Sequence, residues 1–283
     1  MELCAIVIER IGGDNRFASR GYILQRIQTM VLGFLGAGHL ASYTVAGLRA
    51  AGDKRRILLS PRNTSVAAQL AQQHNCEVAP SNQSLVDSCD IVLLSVRPHQ
   101  YQELLDGLQF KSGQLVISAM AGVSHQQLSQ LPNLQDVQLV RSLPIQCAGV
   151  GAGPVPIFPA NDTAFALLDQ LGTAVVLGDE EQFETAVTIG CMHGWVYQWL
   201  AAMSNWATEQ GLDAKAAGEL TTAAVAGAVA YSQSQGPLSM QTIGDGIAGE
   251  GTYTLKGLKH LQAHGAFEAW TGAMDLVDGK GKS

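Results

Sequence analysis

Short apolar runs alternate with longer amphipathic segments between residues 31 and 178. A short run without polar interruption is typical of a strand that is covered on both faces, as strands of parallel sheets are. Because helical segments separate most of these runs, the pattern predicts a doubly wound α/β domain. Strands are predicted at residues 31–35, 56–60, 76–78, 90–96, 114–118, 137–142, 149–158 and 174–177.

The pattern changes after residue 178, and no further strand is predicted beyond Glu180. Two long helices are expected at residues 181–210 and 214–233, with residues 190–194 as a candidate break in the first. Alanine and glycine are frequent on these helices, so we expect an all-α domain whose faces bury the helices of a partner subunit. Shorter helices are predicted at residues 239–246, 254–263 and 266–277.

A glycine pattern, GAGHLA, occupies residues 36–41 between the first predicted strand and the first predicted helix. Gly36 permits a sharp turn, Gly38 lets the backbone approach a pyrophosphate, and Ala41 allows close packing of helix on strand. The helix start offers unpaired N–H groups to phosphates. Strand, turn, helix and second strand together favour a dinucleotide site over an ordinary turn. The cofactor-binding candidates of this turn are Gly36, Gly38, His39 and Leu40.

The end of the second predicted strand indicates which dinucleotide is bound. The acidic residue that contacts the ribose hydroxyls in NAD-binding units is missing there. Ser60, Arg62 and Asn63 occupy this corner instead. An arginine binds phosphate bidentately, whereas an aspartate would repel it. We therefore expect NADP (NADPH) as the cofactor, with its 2′-phosphate on these three residues; the alternative is a solvated arginine in a proline-containing turn.

Composition narrows the possible partners. Of 283 residues, 47% are apolar and 14% charged, which is typical of globular domains. A net charge of −7 argues against nucleic acid as a partner, and no apolar run reaches the length of a membrane span. The five cysteines show no C-x-x-C pair, which predicts reduced, buried thiols of a cytoplasmic protein and no metal site.

The sequence divides into three predicted segments. Residues 1–29 carry four arginines and no signal-peptide cleavage pattern, and are predicted to be a poorly ordered N-terminal extension, with Met30 as an alternative start. Residues 30–178 are predicted to form the NADP-binding, doubly wound Rossmann domain. Residues 179–283 are predicted to form the all-α substrate and dimerisation domain.

Several segments resemble motifs of the pyrroline-5-carboxylate reductase family, over residues 31 to about 277. The turn at 36–41 resembles its G-x-G-x-M-A, and Val96-Arg97-Pro98 stands where that family has V-K-P. Residues 117–123, ISAMAGV, are similar to its I-S-x-x-A-G-V/I, and residues 140–144, VRSLP, to its V-R-x-M-P. The resemblance implies reduction of a cyclic imine, 1-pyrroline-5-carboxylate, to proline by NAD(P)H, in a homodimer or dimer-based oligomer. It also implies cofactor contacts at Val96, Arg97, Pro98, Ala121 and Gly122.

The segments that would meet the substrate differ from the family pattern. Residues 145–147, IQC, stand where the family has N-T-P, and Glu250 stands where it has a proline. Thr254 matches the threonine that the family places near the substrate. His193 stands in place of a serine and is predicted to donate a proton or bind a carboxylate. The alternative for His193 is a helix-start histidine that is satisfied by backbone.

Two other functions remain open beside imine reduction. A reductase similar to β-hydroxyacid dehydrogenases would act on another substrate, but those enzymes use a lysine in the long helix, and residues 185–210 contain none. A non-catalytic NADP-binding sensor would keep the cofactor site and lose turnover, as the altered segments allow. Hydride transfer to an imine requires little beyond placing the substrate carbon near the nicotinamide and stabilising charge, so few charged residues suffice for it.

Overall fold

The structure, a computed structural model, describes residues 27–279 of the chain, which divides into two compact units at residues 1–187 and 188–283. Residues 1–26 of the predicted extension, and Cys4 with them, lie outside the described residues. Within the described range, no helix is long and apolar enough to cross a membrane.

The first unit is built on one eight-stranded sheet in the order β3-β2-β1-β4-β5-β6-β7-β8. All neighbouring strands are parallel except β6 and β7, which run antiparallel. This order confirms the doubly wound prediction, because the chain leaves β1 toward β2 and β3 and returns to β4 on its other side. The strands are β1 (Leu32–Leu35), β2 (Ile57–Leu59), β3 (Glu77–Val78), β4 (Ile91–Leu94), β5 (Leu115–Ser118), β6 (Gln138–Ser142), β7 (Pro154–Phe158) and β8 (Thr173–Val176).

Helices cover both faces of this sheet, which explains the uninterrupted apolar runs of the central strands. Leu93 packs in the core on one face and Leu94 in the core on the other. Gly33 in β1 allows one helix to approach closely, since a Cβ there would lie 2.5 Å from Leu85 and 2.6 Å from the Cys89 sulfur. The helices of this unit are α1 (His39–Ala50), α2 (Thr64–His74), α3 (Asn82–Ser88), α4 (Tyr101–Leu105), α5 (His125–Ser129) and α6 (Asp162–Leu168).

The strand predicted at residues 149–158 is wrong in its first half. Residues 146–150 form a 3₁₀ turn, and β7 begins only at Pro154. The physical reason is left-handed backbone at Gly151 and Gly153, with φ of +69° and +86°, which ends the turn and interrupts any strand.

The second unit contains no strand among its described residues, as predicted. Its first helix is continuous through residues 190–194, so the candidate break there is wrong. Gly190 and Gly194 weaken a helix by about 1 kcal/mol each but do not interrupt its hydrogen bonds, as a proline would. That first helix is α7 (Glu180–Glu209), whose residues 180–187 belong to the first unit. The other helices are α8 (Ala214–Ser234), α9 (Met240–Ile247), α10 (Tyr253–Ala263) and α11 (Ala266–Val277).

A buried ion pair fixes the connection between α1 and β2. Arg55 Nε and Nη2 each lie 2.7 Å from Asp53 Oδ2, and both side chains are fully buried. Burial lowers the pKa of Arg55, and the charge of Asp53 opposes that shift. Asp53 Oδ1 also accepts the backbone N–H of Arg55 at 2.9 Å. Each charge is therefore tolerated in the core only because the other is present.

We predict that Asp53→Asn destabilises the protein by about 3–5 kcal/mol, because it leaves the Arg55 guanidinium buried without its counter-charge. The measurement is the free energy of unfolding in urea. Glu77→Gln is the matched control, since Glu77 pairs with Arg56 at 2.7 Å but both side chains are half exposed. Its cost should stay below about 1 kcal/mol. Equal losses in the two variants would contradict the argument.

Candidate functional site

The predicted cofactor residues collect at one edge of the sheet of the first unit. Each group follows directly on the carboxyl end of a parallel strand: residues 36–40 follow β1, 60–63 follow β2, 96–98 follow β4 and 121–122 follow β5. The carboxyl ends on either side of β1, where the strand order reverses, are where open α/β sheets bind their ligands.

The turn after β1 depends on glycine at residue 36. Gly36 has a φ of +108°, and a Cβ there would lie 2.7 Å from both the Ser95 carbonyl oxygen and Val96 Cγ1. The Ser95 hydroxyl donates a hydrogen bond of 2.5 Å to the carbonyl oxygen of Gly36. The end of β4 therefore holds this turn from one side.

Asn63 holds the same turn from the other side. Its side-chain amide donates to the carbonyl oxygen of Ala37 at 3.1 Å, while its Oδ1 accepts the N–H of Val66 and caps α2. Asn63 thus ties the glycine turn to the helix that follows β2.

The N-terminus of α1 has no side-chain cap. Gly38 is its N-cap residue, the first turn contains no acidic side chain, and a Cβ at Gly38 would meet nothing within 4 Å. In contrast, Asn63 caps α2 and Ser81 caps α3. The first N–H groups of α1 are therefore not capped by a side chain, and the space at Gly38 is open, as a helix N-terminus that binds phosphate requires. His39 is exposed and Leu40 packs partly against the core.

Ser60 is placed differently from its neighbours at the end of β2. It is 1% exposed, and its hydroxyl lies 2.7 Å from Asn82 Oδ1. This geometry gives Ser60 a role in holding Asn82, and its direct contact with a cofactor stays a prediction. Asn82, the first residue of α3, was not singled out by the sequence, because nothing local indicates that α3 starts beside this corner.

Arg62 is exposed at the same corner. Its Nη2 lies 3.6 Å from Glu103 Oε1, with side-chain exposures of 54% for Arg62 and 77% for Glu103. Glu103 belongs to α4, which follows β4, and the sequence did not indicate this pairing.

The remaining cofactor candidates surround the ends of β4 and β5. Val96 is partly buried beside Gly36, whereas Arg97, Pro98, Ala121 and Gly122 are exposed. Gly122 has a φ of +72° and no atom within 4 Å of a Cβ position, so the backbone after β5 is open to a ligand.

The segment after β6, where this chain departs from the family motif, is packed onto α1. The Tyr43 hydroxyl donates to the carbonyl oxygen of Pro144 at 2.9 Å. A Cβ at Gly47 would overlap the carbonyl of Ala148. Burial, with a smaller contribution from Cys147, raises the pKa of Tyr43 to about 12, which extends to higher pH the range in which its hydroxyl can donate this bond. This segment is therefore fixed to the helix that carries the glycine turn.

A buried arginine fixes the beginning of α7. Arg141 in β6 donates from Nη1 to Glu180 at 2.8 Å and to Glu184 at 2.5 Å, and its guanidinium lies 4.4 Å from the centre of the Phe183 ring. Glu180 also accepts the backbone N–H of His125. Two carboxylates and an aromatic face compensate the one buried charge.

The two catalytic candidates lie in the second unit. His193 is in α7, where its ring packs edge to face on Tyr197 at 4.9 Å. Thr254 is the second residue of α10 and is exposed. Thr252 caps that helix by accepting the N–H of Leu255 at 3.1 Å, so the Thr254 hydroxyl is not used as the cap.

The expectation of uniformly buried thiols is wrong for two cysteines. Cys76 and Cys89 are buried, and burial raises the pKa of Cys89 to about 12. Cys147 is partly exposed and Cys191 is exposed. The reason is position, since Cys147 lies in the surface turn after β6 and Cys191 in a unit that buries little of its surface. No group of three or more metal-ligating side chains occurs in the range 27–279.

Two family models match separate parts of the chain. The model described as NADP oxidoreductase, coenzyme F420-dependent, matches residues 31–122. The model described as pyrroline-5-carboxylate reductase dimerisation matches residues 180–281. The matches fall on the sheet with its glycine turn and on the helical second half.

Individual relatives are similar over most of the chain. A pyrroline-5-carboxylate reductase of Haemophilus influenzae is 27% identical over 252 residues, covering 84% of this chain and 91% of that protein. The crystal structure of 1-pyrroline-5-carboxylate reductase from Streptococcus pyogenes has a TM-score of 0.75 at 25% identity, covering 90% of this chain and 99% of that one. The pyrroline carboxylate reductase of Plasmodium falciparum, solved with NADP bound, shares the fold with a TM-score of 0.77 at 20% identity, covering 90% and 98%.

We predict that alanine acts on different properties at the two glycines of the turn: on NADPH binding at Gly38 and on the stability of the fold at Gly36. Gly38→Ala should leave the free energy of unfolding within about 1 kcal/mol of the parent, because its φ of −116° suits alanine and the space is open. It should weaken NADPH binding at least about tenfold, because the methyl group occupies the approach of the pyrophosphate.

Gly36→Ala is the paired variant. It should lower the stability of the fold itself, because of the positive φ and the contact with the Ser95 carbonyl. Chemical unfolding and NADPH fluorescence titration measure the two quantities separately. Unchanged NADPH affinity in Gly38→Ala would contradict the assignment of the pyrophosphate to this turn.

Proposed function

We propose that this chain is a member of the pyrroline-5-carboxylate reductase family and a cytoplasmic, NADP-dependent reductase of a C=N bond. The substrate is a cyclic imine, 1-pyrroline-5-carboxylate or a related compound. The observation that carries the proposal is the uncapped N-terminus of α1, which lies next to an open glycine turn and one strand away from Arg62. The NADP in the relative from Plasmodium falciparum supports the choice of cofactor.

The residues present fit a dinucleotide with a 2′-phosphate. The backbone N–H groups that begin α1 bind the pyrophosphate, and the Arg62 guanidinium binds the 2′-phosphate. Val96 and Pro98 shape the nicotinamide end of the site, with Arg97 near the cofactor. The open backbone at Ala121 and Gly122 would leave room for the nicotinamide ring at the end of β5. These roles follow the order of the strands along the sheet edge.

The reaction is a two-electron reduction of the imine. NADPH, when bound, would supply the hydride for the imine carbon; the imine nitrogen would take or already hold a proton, so that amine and NADP⁺ would be the products. In the proposal, the chain contributes placement and charge stabilisation. Thr254 orients the substrate with its hydroxyl, and His193 donates a proton or binds a carboxylate.

Glu250 bears on the charge of the imine that is reduced. It is exposed in the turn before α10, four residues ahead of Thr254. A carboxylate there disfavours an anionic substrate and favours a neutral or cationic one. A related imine without a carboxylate therefore stands beside 1-pyrroline-5-carboxylate in the proposal.

We predict NADPH oxidation with at least one compound among 1-pyrroline-5-carboxylate and a panel of cyclic imines with and without a carboxylate. The loss of absorbance of the reduced nicotinamide measures turnover. Thr254→Val should lower kcat/KM while the Kd for NADPH, from fluorescence titration, stays unchanged. Tight NADPH binding without turnover of any imine would contradict the proposed reductase activity. It would favour the alternative of a non-catalytic, NADP-binding sensor.

We also propose that the second unit is completed by a second copy of this chain. Among its described residues, only Thr188 and Ala217 are buried. Large apolar side chains are exposed in every helix: Trp206 is 61% exposed, Leu220 60% and Leu276 77%. A water-exposed apolar surface of this extent is typical of an interface. The match of residues 180–281 to a dimerisation model supports a homodimer as the basic assembly.

We predict that the protein at micromolar concentration has a mass of twice 29.9 kDa, or a larger even multiple, as measured by light scattering. Leu220→Asp should shift the distribution toward monomer, because the interface would have to bury an unpaired charge. Val78→Asp is the control, since Val78 is 43% exposed but lies in the first unit. A monomeric parent protein, or equal effects of the two variants, would contradict this assembly.

A further inference from the structure

The ion pair between Arg62 and Glu103 crosses the edge of the sheet where the glycine turn lies. Arg62 follows β2, and Glu103 belongs to α4, which follows β4. Since β1 lies between β2 and β4, the pair reaches across the carboxyl end of β1. A dinucleotide bound at this end of β1 would lie between the strand ends that precede the two side chains.

Glu103 and a 2′-phosphate require the same partner. A guanidinium binds a carboxylate and a phosphate through the same planar set of N–H donors. The inference rests on the proposed function, in which Arg62 binds the 2′-phosphate of NADPH. Glu103 then has two unfavourable effects on that phosphate, since it occupies the guanidinium and adds a negative charge beside a dianionic group.

The geometry of the pair indicates that Glu103 contributes little to holding Arg62 in place. The Nη2–Oε1 distance of 3.6 Å is long for an ion pair, and both side chains are more than half exposed. Pairs of this kind stabilise a protein by less than about 1 kcal/mol. The position of the turn depends instead on Asn63, through its bonds to Ala37 and to the start of α2.

We propose that Glu103 is a specificity-determining residue that sets the preference between NADPH and NADH. It weakens the binding of the 2′-phosphorylated cofactor by competing for Arg62, and it leaves the binding of the unphosphorylated cofactor unchanged. The parent protein therefore binds NADPH less tightly than its arginine alone would allow.

The test is Glu103→Gln, which keeps the size of the side chain and removes its charge. The Kd for NADPH should fall about two- to fivefold at low salt, and the Kd for NADH should not change. The difference between parent and variant should shrink at 0.5 M salt, a concentration of roughly this size being enough to screen exposed charges. A purely structural role for Glu103 would change both cofactors together and would not depend on salt in this way.

Two variants complete the design. Glu77→Gln removes another exposed carboxylate, which pairs with Arg56 ahead of β2, and should change neither Kd. Arg62→Ala should weaken the binding of NADPH far more than the binding of NADH. When Arg62 is already alanine, Glu103→Gln should lose most of its effect on the Kd for NADPH.

The outcomes separate the inference from the function on which it rests. Equal losses for both cofactors in Arg62→Ala would overturn the assignment of Arg62 to the 2′-phosphate. A selective loss in Arg62→Ala, together with unchanged or weaker NADPH binding in Glu103→Gln, would overturn the role of Glu103 alone.

Discussion

The turn after β1 is held in place by side chains from both neighbouring strand ends. Ser95 bonds the carbonyl oxygen of Gly36, and Asn63 bonds that of Ala37. With these acceptors engaged, the turn keeps its sharp glycine conformation, and the first N–H groups of α1 remain available to a ligand. The candidate cofactor residues after β2, β4 and β5 lie at the same edge of the sheet as this fixed turn.

The two units obtain their stability in different ways. In the first, apolar residues on both faces of the sheet are covered by helices, and its buried arginines, Arg55 and Arg141, are each matched by carboxylates. In the second, the described helices leave most of their large apolar side chains exposed. The first unit therefore has a complete core within one chain, while the described part of the second unit has no comparable core.

The sequence was most informative where a local pattern has one physical cause. Continuous apolar runs predicted the central strands, because only strands covered on both faces lack polar positions, and the glycine spacing predicted the turn at Gly36. The sequence failed where the cause was distant in the chain. The Ser60–Asn82 contact, the Tyr43–Pro144 bond and the Arg62–Glu103 pair join residues from different elements that are distant in the chain. At 149–158, apolar character predicted a strand that the positive φ angles of Gly151 and Gly153 prevent.

Asn63 and Arg62 are adjacent in sequence but are constrained very differently. Asn63 both caps α2 and tethers the glycine turn, so a substitution there disturbs two elements at once. Arg62 is exposed and contacts another exposed side chain. A mutation at Arg62 therefore changes the charge of this corner without removing a bond that holds the fold, whereas a mutation at Asn63 removes two such bonds. Of these two adjacent positions, only the first is tolerant of evolutionary change.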